Sequence, residues 1–72
     1  MIKRYVKFII AKEDAITIID RMSPYGTVRF NDLSDGRHYQ VSLYCAMDSW
    51  NSLMDNILML CRDGVSIWKL RV

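Results

Sequence analysis

His38, Cys45, Cys61 and the adjacent acids Glu13 and Asp14 are the residues on which catalysis or metal binding in this chain would have to rest. A histidine becomes a general acid or base when a carboxylate or a nucleophile stands within reach. His38 is the only histidine, the pattern gives it no such neighbour, and it reads as a surface residue of a strand. Cys45 and Cys61 are too few and too far apart for a zinc cluster or a redox Cys-x-x-Cys. They read as reduced, buried side chains of a cytoplasmic protein without a secretory leader, because free cysteine packs as a small hydrophobe. Adjacent acids at the start of a helix serve the helix dipole more simply than proton transfer. Gly26, Gly36 and Gly64 stand singly at turns, so no phosphate-cradling loop is present in the sequence. The expectation is a protein that is not an enzyme, with no catalytic set, no metal and no cofactor.

The chain has 72 residues, of which 51% are apolar and 25% charged, which suits one globular domain over 1–72 and leaves no room for a second. A core of this size supplies about 3–5 kcal/mol of net stability, so self-association into a homodimer is an expected way of adding to it. The apolar stretches are broken by Asp, Lys or Arg well before the roughly 20 residues that a membrane span requires, so no membrane partner is expected.

The elements that would position any site follow from periodicity. Residues 2–11 alternate Ile2, Val6, Phe8 and Ile10 against Lys3, Tyr5, Lys7 and Ile9, the period of a strand, with Arg4 as the one misfit. From Lys12 onward Ala15, Ile18, Ile19 and Met22 recur at helical spacing, although the β-branched run Ile16 to Ile19 would also suit a strand. Ser23, Pro24 and Gly26 break that helix and Gly26 is expected to turn the chain. A second strand starts near Thr27. Asp35-Gly36 forms a two-residue hairpin turn, and a third strand starts at Arg37 with Tyr39, Val41, Leu43 and Cys45 on one side and His38, Gln40, Ser42 and Tyr44 on the other. A helix spans Ser49 to Asp63, capped by Asp48 or Ser49, with Trp50, Leu53, Met54, Ile57, Leu60 and Cys61 on its apolar stripe and Gly64 at its end. Leu58 reads as the edge of a slightly wider core stripe. The last strand, Val65 to Val72, sets Trp68, Leu70 and Val72 against Lys69 and Arg71.

Two strand-helix-strand units around a hairpin are the sequence form of an α+β, ferredoxin-like split β-α-β-β-α-β fold. Right-handed crossovers then give a four-stranded antiparallel sheet in spatial order four, one, three, two, with both helices on one face. A helix packed on a four-stranded meander competes if Ile16 to Ile19 is extended.

Turning the apolar side of each strand to the helices leaves Lys3, Lys7, Arg29, Lys69 and Arg71 on the open face, among Tyr5, Tyr44, His38, Gln40 and Ser42. The eight acids fall in helices, turns and helix ends, so a net charge of only +2 conceals a basic sheet side and an acidic helical side. The plain account of such a face is solubility, with lysines discouraging edge-to-edge pairing. In architecture it resembles RNA-recognition domains, which stack bases on sheet aromatics and meet phosphates with cations. That family's third-strand motif corresponds to Arg37-His38-Tyr39-Gln40-Val41-Ser42-Leu43-Tyr44, where Arg37 and Tyr39 fit but His38 replaces its glycine and Val41 its second aromatic. Acylphosphatases and ACT-type ligand-binding domains place glycine in the loop after strand one. The corresponding Ala11-Lys12-Glu13-Asp14 is acidic, so neither site transfers.

A small domain of this kind acts by occupancy. The first expectation is a protein-binding regulator or inhibitor, of a type common among small viral or mobile-element proteins, whose basic face takes an acidic partner surface. Met59 on the outer side of the second helix could serve the same partner, and Ile9, Val65 and Ile67 at one end of the open face could seed a homodimer. The alternative is a nucleic-acid-binding module with Tyr5 and Tyr44 as stacking platforms and Lys3, Lys7, Arg29, Lys69 and Arg71 on phosphates.

Overall fold

The structure is a computed structural model and describes residues 3–72; Ile2, assigned above to the first strand, lies outside the described residues. It is an α+β fold, with β1 (Lys3–Ala11), α1 (Ala15–Met22), β2 (Gly26–Asp32), β3 (His38–Ala46), α2 (Trp50–Arg62) and β4 (Trp68–Arg71). The four strands form one sheet in the order β2-β3-β1-β4, and every neighbouring pair is antiparallel.

Alternation drives β1: Val6, Phe8 and Ile10 are buried, while Lys3, Tyr5 and Lys7 are exposed. The misfit Arg4 is exposed, on the helix side of the strand, with its guanidinium carbon 4.2 Å from the ring centroid of Trp50, so the cation is met by the face of the indole. On β3 Val41, Leu43 and Cys45 are buried and meet Ile18 and Met22 of α1 and Leu53, Ile57 and Leu60 of α2 in one apolar cluster.

The first helix forms despite its β-branched run, which rules out the meander. Burial of Ile18 and Met22 outweighs a propensity deficit of a few tenths of a kcal/mol per residue. With only two turns its contact stripe is narrow, so Ile19, expected in the core, is 43% exposed. Glu13 and Asp14 sit in a 3-10 turn, Lys12–Asp14, that leads into it.

Several expected details are corrected. Gly26 does not turn the chain; its backbone is extended, with φ of 170°. A glycine is needed there for space, since a Cβ would lie 2.2 Å from the Tyr44 carbonyl oxygen on the neighbouring strand. The hairpin is longer than two residues: the ladder ends at Asp32 and Tyr39, the Leu33 N–H donates to the His38 carbonyl at 3.1 Å, and Gly36 takes φ of 71° inside the wider loop. Neither Asp48 nor Ser49 bonds its side chain to the start of α2, which is entered instead through a 3-10 turn, Met47–Ser49. Cys61 and Leu58 are exposed, because the α2 stripe is centred on Leu53, Ile57 and Leu60 and both residues lie past its edges. Gly64, at φ of 98°, does end α2: its N–H meets Cys61 O and the Val65 N–H meets Leu60 O, the double bond of a Schellman cap.

The largest correction is at the last strand. It begins at Trp68, and Val65 and Ile67 pack against the core instead of projecting from the open face. Trp68 pairs with Ile9 and Arg71 with Lys7, a register that shifts between them, and Lys69 there adopts φ of 54°. One extra residue inverts the alternation, so Trp68 moves to the open face that Arg71 also shares. Ile9 is therefore left on the open face beside Trp68, without Val65 and Ile67.

Candidate binding face

Register sorts the open face into bands running across the strands. Because cross-strand partners share a face, Thr27, Tyr44 and Tyr5 form one band and Arg29, Ser42, Lys7 and Arg71 the next. Asn31, Gln40, Ile9 and Trp68 form the third, with His38 and Ala11 beyond it. At a strand spacing of about 4.8 Å, the cationic band extends over about 14 Å from Arg29 to Arg71. Ser42, between Arg29 and Lys7 in that band, is buried, at 7% exposure.

The aromatic band is packed internally. Tyr5 and Tyr44 meet edge to face at 5.4 Å, with Lys7 Nζ 5.1 Å from the Tyr5 ring and Lys3 Nζ 5.1 Å from the Tyr44 ring. Both tyrosines remain more than two-fifths exposed. With Lys3, Thr27, Arg29 and Ser42 they line a depression of about 400 Å³. A second depression, of about 360 Å³, lies at the opposite end of the face between Ile9, Leu33, Asp35, His38, Trp68 and Lys69.

Among the described residues, no strand position on this face carries a carboxylate, and no salt bridge engages Lys7, Arg29 or Arg71. Two of the acids pair away from this band: Asp32 binds Lys12 at 2.8 Å, raising the lysine's pKa, and Asp63 binds Arg21 at 3.1 Å. Burial raises the pKa of the Cys45 thiol, consistent with a packing role.

His38 does have a carboxylate neighbour, contrary to the sequence reading. Asp35 accepts the backbone N–H groups of Arg37 at 2.9 Å and His38 at 3.1 Å, and its other oxygen contacts His38 Nδ1. These bonds, the Arg37 N–H foremost, hold its pKa at about 2 instead of 3.8. A depressed folded-state pKa gives stability that is present above the unfolded value and lost as pH falls toward 2. Urea midpoints between pH 5 and pH 2 should therefore fall more steeply for the parent than for Asp35→Ala; parallel curves would count against the loop bonds.

Of the residues singled out from sequence, Lys3, Tyr5, Arg29 and Tyr44 share the first depression, Lys7 and Arg71 stand side by side, and His38 and Lys69 border the second. Met59 is not brought to them; it lies on α2, half exposed. Sequence reasoning missed Trp68, whose side was fixed by an alternation that the bulge inverts. Among the described residues there is no cluster of histidine, cysteine and acids that could hold a metal, and no helix is long and apolar enough to cross a membrane.

Fold and face together define a class: an α+β domain with its two helices on one side of the sheet and an uncovered, cationic and aromatic face on the other. Comparisons with family models, curated proteins and solved structures give no match.

Proposed function

We propose that this is a non-catalytic single-stranded nucleic-acid-binding domain on a ferredoxin-like split β-α-β-β-α-β scaffold. The strand order β2-β3-β1-β4 with antiparallel neighbours supports the scaffold. The observation that carries the function is the band of Arg29, Ser42, Lys7 and Arg71, on a sheet face without strand carboxylates, lying between tyrosines on one side and Trp68 on the other. Cations track phosphates of any sequence and rings accept any base, which is what single-strand binding requires. The lysines that share the Tyr5 and Tyr44 rings are exposed and free to swing to phosphate as a base takes the ring.

Titration of fluorescent single-stranded oligonucleotides against salt tests this reading. Neutralising about three phosphates gives a log-log slope near −2, and Tyr5→Ala is expected to weaken binding by about 1–3 kcal/mol. No binding at low salt would sink the proposal.

A protein-binding regulator with an acidic partner is the second reading, favoured by Leu58 and Met59, which are 59% and 49% exposed on α2. It predicts that abasic and normal oligonucleotides compete equally, as generic polyanions, for the cationic face.

A further inference from the structure

We propose that the depression formed by Trp68, Ile9, Leu33 and His38 is a nucleobase site, holding one base of the same strand whose phosphates lie on the adjacent cationic band. The inference rests on the nucleic-acid reading above and deepens it by assigning a position for base stacking that is separate from the two tyrosines.

Three features carry it. First, the bulge at Lys69 turns Trp68 outward, where the indole is 45% exposed on the one face of the domain that is cationic. A large aromatic side chain left half in water, with Ile9 as its cross-strand partner, offers a flat apolar surface that solubility does not explain. Second, the ring is held in place. His38 packs against it at 72° with centroids 5.1 Å apart, and Asp35 in turn holds the imidazole at Nδ1. A pre-oriented platform loses little side-chain freedom when a base stacks on it. Third, the spacing suits one nucleotide. The Ile9–Trp68 pair follows the Lys7–Arg71 pair by two residues of β1, a rise of about 7 Å, so a phosphate on Arg71 leaves its base over Trp68. Lys69 borders the depression and Gln40, paired with Ile9, brings an amide to its edge, where it can meet polar atoms of a base.

Trp68 and Trp50 are the only tryptophans, and Trp50 lies under Arg4 away from this face. The full chain carrying Trp50→Phe therefore reports on Trp68 alone. A single-stranded oligonucleotide should quench its fluorescence on titration, and an abasic oligonucleotide of the same length should not. With Trp50 intact, fluorescence anisotropy should show Trp68→Ala weakening the normal oligonucleotide about tenfold or more while leaving the abasic one unchanged. Trp68→Phe should retain most of the affinity, which separates stacking from misfolding. If the normal oligonucleotide binds but Trp68 fluorescence stays constant, or if Trp68→Ala weakens both ligands equally, the base site is overturned and the nucleic-acid reading stands. Absence of binding by either oligonucleotide overturns both.

Discussion

Gly26→Ala is expected to lower the unfolding free energy by about 3 kcal/mol, the upper end of what overpacking costs. The Cβ would be placed 2.2 Å from the Tyr44 carbonyl oxygen and 3.0 Å from the Cys45 Cα. Both are backbone atoms of β3, which is hydrogen-bonded on one side to β1 and on the other to β2, so neither can swing aside as a side-chain tip would. Relief requires β2 to retreat from the sheet, carrying Val28 and Phe30 off the core they pack against. For a domain whose net stability is of the order of 3–5 kcal/mol, that loss removes most of the folded population's margin. Gly36→Ala is the control. Nothing lies within 4 Å of its Cβ, and the φ of 71° costs only about 1 kcal/mol. Urea denaturation of the two variants should rank them clearly; a Gly26→Ala midpoint matching the parent's would refute the steric account.

The second large effect is on binding. Lys7 stands between Ser42 and Arg71 in the cationic band, and Lys7→Glu there removes one phosphate contact and puts a carboxylate against the remaining phosphates. Affinity for a single-stranded oligonucleotide at moderate salt is expected to drop by about 2 kcal/mol, roughly thirtyfold, and the salt slope to become shallower by about 0.7 to 1. Stability should change little, because Lys7 is exposed and, among the described residues, joins no salt bridge. Arg62→Glu, on exposed α2, changes net charge by the same amount on the helical side. It should leave binding within experimental error, since screening over about 10 Å confines the effect to local charges. Equal losses from the two reversals would mean that net charge alone attracts the ligand, and would end the case for an organised band.

The contrast between the two ends of the open face shows how far the sequence could be read. Tyr5, Lys7, Ser42 and Tyr44 lie on regular, uninterrupted strands, where alternation assigns each residue its face. That is why Lys3, Tyr5, Arg29 and Tyr44 are legible from the sequence as residues of one face, while their sharing of one depression is not. At the other end, the same rule carried through Lys69 puts Trp68 on the core side, and there it fails. A positive φ at a lysine is not a propensity signal; glycine or asparagine would have announced the bulge. The Asp35–His38 contact was hidden for a related reason: a two-residue turn at Asp35-Gly36 would have pointed the carboxylate elsewhere, whereas the wider loop folds it back onto the His38 N–H and ring.

By itself, the sequence determined the α+β class, the second helix, the apolar face of β1 and β3, the helix end at Gly64 and the separation of basic from acidic sides. Each of these follows from local periodicity or from a single residue's backbone freedom, and needs no knowledge of distant neighbours. Only the tertiary structure decided that Ile16 to Ile19 is helical, that Gly26 is required for strand contact instead of a turn, and that Trp68 shares the face of Lys7 and Arg71. Those outcomes depend on which burial wins, how closely two backbones approach and where a ladder slips by one residue. All three are properties of contacts between segments far apart in the chain.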